Sequence, residues 1–317
     1  MAEHSEILAA WQFTPPISLG LLLIAYVYLR GLRRRSRAPE RFGRWNWRPS
    51  CFLAGLLCLY AVLQSPLDFL ADHLFFVHQI QHLFLMMIVP ILLLAPAPEG
   101  ELTAGLPSSA RRLLLAPIVR NRAIGGVMRC LMHPCTATVL GGGMLYFWMI
   151  PGVYDAALSN ERIHDLMHLC LLFGGLLFWR RVLDRRRPPV GLSYLTRAGM
   201  LKVNLMMVAA LGGYLTSKDD PLYRDSGFGL MNITSIVDEQ IGGAILWFAG
   251  SLILLAAIAL TIRKWLVETE RIELTRWAES VPDPDFDRQS GTLTAESLHV
   301  LEAPAQASVS GSNAPSS

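Results

Sequence analysis

Five histidines in this sequence stand in a pattern that can do chemistry. His78 and His82 are four residues apart in Asp72-His73-Leu74-Phe75-Phe76-Val77-His78-Gln79-Ile80-Gln81-His82, at the mouth of an apolar run leading through Pro90 to Pro98; His164 and His168 repeat the spacing. At ~100° per residue such a pair stacks on one face of a helix. Two stacked pairs, with the carboxylate of Asp238 on a third helix, make a plausible set of metal ligands. Imidazole suits copper, zinc and iron, and added thioethers tilt the choice toward Cu(I). Met86 extends the His78/His82 stripe by one turn and Met149 lies at the same level on another run, so both are candidate additional ligands. Gln81 and Asp165 are candidates to orient a ligand's second ring nitrogen.

Each residue also has a plainer reading. A single helical histidine is commonly an interhelical hydrogen-bonding group, and methionine is mostly a gap-filler; it is the two paired sets that favour a metal. His73, at the entrance and well off the His78/His82 face, divides evenly between the two readings. Asp238 reads equally as the N-cap or first-turn acid of its own helix. His4, His133 and His299 are incidental, and Trp148, Tyr154 and Trp247 read as interfacial anchors.

The elements that must position these residues are apolar. The 317 residues are 52% hydrophobic and 17% charged, with mean hydropathy +0.38. A soluble domain carries about a quarter charged residues, so the balance predicts a polytopic, all-α membrane protein. Seven runs qualify, near 16–29, 50–66, 74–95, 131–150, 163–183, 198–216 and 236–262, judged against roughly 20 residues per 30 Å of hydrocarbon. The first is followed, not preceded, by Arg30-Gly31-Leu32-Arg33-Arg34-Arg35, which reads as a retained helix and not a secretory signal.

Charge then orients the runs. Segments 30–48, 97–130 and 180–200 hold eight, five and six Lys or Arg, whereas 1–16, 66–74, 151–162 and 217–235 hold none, none, one and two. The positive-inside rule therefore predicts seven transmembrane helices with the N-terminus outside and the C-terminus cytoplasmic. It also brings His73, His78, His82, His164, His168 and Asp238 to one leaflet, the outer one. The expected domains are a seven-helix unit over 1–267 and a polar, disordered cytoplasmic tail over 268–317. The net charge of +3 does not imply nucleic acid, because the arginines come in bursts between apolar runs. Five cysteines without a CxxC pair read as buried apolar residues outside any disulfide.

Four ordered blocks resemble the CtaG-type multi-span membrane proteins that assist assembly of bacterial cytochrome c oxidase. They are His78-Gln79-Ile80-Gln81-His82, similar to an HxxQH segment; Trp148-Met149-Ile150-Pro151-Gly152-Val153-Tyr154-Asp155-Ala156-Ala157-Leu158; His164-Asp165-Leu166-Met167-His168; and Asp238-Glu239-Gln240-Ile241-Gly242-Gly243. Two positions depart from the pattern. Met149 stands where members commonly carry His, and Glu239 where Gln is usual.

The resemblance implies a bacterial cytoplasmic-membrane protein, not an enzyme, that matures a haem–copper oxidase, with copper delivered or inserted on the outer side. Its partners would be an oxidase subunit and a periplasmic or extracellular copper donor. A haem-binding electron carrier with one axial His from each pair is the alternative from the residues themselves, and a metal-free scaffold for oxidase subunits is another. A di-metal hydroxylase is disfavoured, since no glutamate joins the histidines in an ExxH pattern.

Overall fold

The computed structural model describes residues 11, 13–35, 47–115, 117, 121–186, 188, 190–223 and 233–280. Among these, all regular structure is helical. The main elements are α1 (Pro15–Arg35), α2 (Trp47–Gln64), α3 (Pro66–His73), α4 (Phe75–Leu94), α5 (Glu99–Gly105), α6 (Arg122–Leu131), α7 (Pro134–Trp148), α8 (Pro151–Leu158), α9 (Glu161–Val182), α10 (Tyr194–Ser217) and α11 (Ser235–Ser280).

Five of these are long and apolar enough to cross a membrane: α1, α2, α4, α10 and α11. The expected fourth span is a bent pair instead. α7 and α8 meet at 75°, where Pro151 cannot continue the hydrogen-bond ladder of α7. The expected fifth, α9, has the length at 22 residues. Its apolarity is lowered by His164, Asp165 and His168 at one end and Arg180 and Arg181 at the other. The residues that could do chemistry are thus the ones that mask the helix carrying them.

α4 is the buried helix of the set: 61% of its most apolar stretch is enclosed, against 17% in α1 and 33% in α2. It packs against α2, α3, α9 and α11, so its polar side chains face protein and not lipid, as intramembrane polar groups must. Pro90 lacks an N–H, which leaves the Met86 carbonyl without its helical donor, and the chain takes a π turn over Phe84–Ile88. The indole of Trp179 on α9 donates to that carbonyl at 3.0 Å. Gly175, one turn earlier on α9, makes the approach possible, since a Cβ there would lie 2.5 Å from the same oxygen.

The chain departs from expectation at its C-terminal side. The compact unit ends at Thr261, but α11 continues to Ser280, so residues 268–280 are helical and do not begin a disordered tail. Lys264/Glu268, Glu268/Arg271 and Glu273/Arg276 stand at the three- and four-residue spacings that support an exposed helix. Residues 281–317 of the expected tail lie outside the described residues. All five cysteines are free thiols.

Candidate metal centre

α4 begins without a cap of its own. Its N-cap residue is Leu74, in extended conformation and unable to accept a hydrogen bond through its side chain. Asp238, fully buried on α11, supplies the acceptor from 163 residues away: its Oδ2 accepts the Phe75 N–H at 2.8 Å and its Oδ1 the Phe76 N–H at 2.9 Å. A carboxylate at a helix N-terminus is favoured by the macrodipole. Asp238, expected as a ligand or as a cap for its own helix, caps the helix that carries His78 and His82.

One turn further in, three imidazoles converge. His78, His82 and His168 offer nitrogens that all lie within 4.8 Å of one another, and they are 0%, 0% and 6% exposed. The His78 and His82 rings lie tilted to each other with centroids 4.3 Å apart, and His168 meets them edge-on at 5.5 and 5.9 Å. The Tyr154 hydroxyl, on α8, engages His78 Nδ1 at 2.9 Å, which leaves Nε2 as the nitrogen outside that hydrogen bond. Among the described residues, neither ring nitrogen of His82 has a hydrogen-bond partner, nor has Nε2 of His168. Buried polar groups are rarely left unpaired, and each such group costs about 1–3 kcal/mol. Orphaned nitrogens on converging imidazoles are what a cation-binding donor set requires.

His164 adjoins the cluster without entering the triad. Its Nε2 lies 3.3 Å from Nε2 of His78 and its Nδ1 3.5 Å from Oδ1 of Asp72 on α3. It lines a cleft of about 330 Å³ with His168 and the carboxylates of Asp68, Asp72, Glu161 and Asp165. Burial lifts the Asp68 carboxyl to about 6, against the opposing effects of the Gln81 amide and His164. Burial raises Asp72 too, with His73 acting against it.

The remaining expected residues are placed elsewhere. His73 is exposed on α3, with Nδ1 on the Phe69 carbonyl at 2.8 Å. The Gln81 Nε2 donates to the Val62 carbonyl at 2.9 Å and to Asp68 Oδ1 at 2.8 Å, and its buried Oε1 has no hydrogen-bond partner among the described residues. The Met149 sulfur accepts from the Gln79 amide at 3.5 Å and lies 3.7 Å from the Tyr223 hydroxyl. Met86 is buried in the core at the π turn. Asp165 lines the cleft. Glu239, fully buried, pairs with Lys218 and accepts the N–H groups of Leu222 and Tyr223, fastening residues 218–223 after α10 to α11.

Tyr154 is the residue sequence reasoning missed. It was expected at the interface, and it is 1% exposed, against His78.

The chain is 24% identical over 298 residues to an uncharacterised protein of Mycobacterium leprae, ML1998, covering 89% of this chain and 44% of that one. It is 24% identical over 284 residues to an uncharacterised protein of Mycobacterium bovis, Mb0105, covering 84% and 41%. It therefore spans under half the length of the curated relatives it matches. No solved structure matches it. Residues 26–268, which contain the whole His78/His82/His168 cluster and its Tyr154 and Asp238 supports, match the cytochrome c oxidase caa3 assembly factors (Caa3_CtaG), and the chain belongs to that family.

Proposed function

We propose that this protein takes up copper at the His78/His82/His168 cluster and releases it to a subunit of a bacterial cytochrome c oxidase during assembly, without catalysing a reaction of its own. One observation carries the reading: three buried imidazoles on two helices present ligand atoms within 4.8 Å of one another, with both nitrogens of His82 unpartnered. Copper is the cargo that fits both an all-imidazole donor set and membership of an oxidase assembly family. Among the candidate supporting groups, the Tyr154 hydroxyl is the one that touches a ligand histidine; the Met149 sulfur, which motivated Cu(I), is held by Gln79 and Tyr223.

The same reading puts seven helical passes in the cytoplasmic membrane, with α7 and α8 as one broken pass and α9 as another. The arginine-rich ends face the cytoplasm, and the cluster opens outward toward a periplasmic or extracellular copper donor.

Metal analysis and copper titration of detergent-purified protein test the reading. Wild type is expected to bind about one copper per chain, and His82→Ala and His168→Ala to lose it while remaining folded. In a strain lacking the native copy, the same variants should leave the oxidase without its copper. If they restore full oxidase activity, the protein is a metal-free scaffold and the copper reading is wrong.

A further inference from the structure

The acidic cleft leads to the buried cluster along a gradient of exposure. Asp72, Glu161 and Asp165 are exposed, His164 is half-buried, and His168 is 6% exposed, yet all five line the same cleft. Among the described residues, no lysine or arginine lines it. Carboxylates alone would be an ordinary solvated surface. Here the cleft also ends on His168, whose Nε2 is buried without a hydrogen-bond partner among the described residues, and His168 belongs to the triad.

His164 occupies the junction. One of its ring nitrogens faces a cleft carboxylate, Asp72 at 3.5 Å, and the other faces a cluster ligand, His78 at 3.3 Å. It is therefore within reach of a cation at either station.

We propose that the cleft formed by Asp72, Glu161, Asp165 and His164 is the loading route of the cluster: the carboxylates collect a hydrated divalent cation, and His164 hands it to His78 and His168 by ligand exchange. This deepens the copper reading and rests on it. The donor chemistry gives the direction. Oxygen ligands suit hydrated, harder ions and exchange them readily, whereas imidazole holds Cu(II) more firmly, so each step moves the ion toward stronger donors. A cleft lined by one sign of charge between low-dielectric walls also raises association rates by about 10 to 1,000-fold. That enhancement is screened by salt over a Debye length of about 10 Å at 0.1 M. His164 acts here as a positioning residue that speeds exchange, distinct from the three equilibrium ligands.

Stopped-flow binding of Cu(II), supplied as the metal alone, to the detergent-purified full chain tests this. The triple variant Asp72→Asn/Glu161→Gln/Asp165→Asn keeps side-chain size at exposed positions, so folding is preserved. It is expected to bind Cu(II) about 10-fold more slowly at low salt, with the dissociation rate unchanged and the salt dependence flattened. His164→Gln is expected to slow association and dissociation together while Kd stays within about threefold. If the wild type binds neither Cu(II) nor Cu(I), the cluster reading itself fails; if it binds Cu(I) alone, the divalent loading route is overturned and the cluster reading stands. If the wild type binds but the triple variant loads at the wild-type rate and salt dependence, the loading route alone is overturned. If His164→Gln raises Kd more than tenfold at an unchanged association rate, His164 is a fourth ligand and the hand-over is overturned.

Discussion

Tyr154 couples the cluster to the break in the chain. Its hydroxyl holds Nδ1 of His78, 76 residues away in sequence, and so fixes both the ring's orientation and the nitrogen left to bind. A hydrogen-bond partner of this kind is generally worth 10- to 100-fold in metal affinity. Tyr154→Phe keeps the ring contacts with Phe75 and Tyr223 at 5.6 and 4.4 Å, so copper affinity should fall by that factor with little change in thermal stability, read by competition with a chromophoric chelator. Unchanged affinity would mean that packing alone orients His78. The histidine pairs were legible because helical spacing is local: four residues suffice to state that two rings share a face. Tyr154 and the Asp238 cap were not, because each acts on a partner 76 or 163 residues away, and no local rule encodes which helices meet.

At the scale of elements, the site depends on how closely α4 and α9 approach, since each contributes part of the triad. Their contact is fastened deeper in the bundle than the histidines. Pro90 frees the Met86 carbonyl, Trp179 satisfies it at 3.0 Å, and Gly175 lets the backbones meet. A methyl group at 175 would lie 2.5 Å from the Met86 oxygen and 2.9 Å from its Cα, both backbone atoms that cannot rotate aside. Gly175→Ala should therefore separate the helices, cost about 1–3 kcal/mol by overpacking, and weaken copper binding although the substitution is remote from every ligand. Gly152→Ala, with nothing within 4 Å of the added methyl, should leave both unchanged. Thermal unfolding in detergent and chelator competition read the two effects; normal copper affinity in Gly175→Ala would disconnect this contact from the site. The proline was visible in the sequence as a helix breaker, but its consequence was a π turn and an indole hydrogen bond, which only the neighbouring helix could determine.

Over the whole compact unit, charge and chemistry separate to opposite ends. His164 and His168 begin α9 and Arg180 and Arg181 end it, with His164 and Arg181 roughly 25 Å apart at 1.5 Å per residue. The arginine end is itself organised: Arg180 pairs with Glu99 at 3.0 Å, Arg185 reaches the Ala95 carbonyl at the C-terminal end of α4, and Arg197 donates to the Asp184 and Arg186 carbonyls at 2.5 and 3.0 Å. Cations at that end complement the negative pole of α4, just as Asp238 complements its positive pole. α4 and α9 therefore share one polarity, and a single measurement fixes its direction. With the arginine end held inside, Ser159→Cys, between α8 and α9 beside the cleft, should react with a membrane-impermeant maleimide in intact cells. Arg111→Cys, in the arginine-rich segment between α5 and α6, should react only after permeabilisation, each tested in a background with the five native cysteines replaced. The reverse pattern would turn the cleft toward the cytoplasm. Copper would then have to load from the cytoplasmic pool, and delivery from an external donor would be excluded even if the histidines bind the metal tightly.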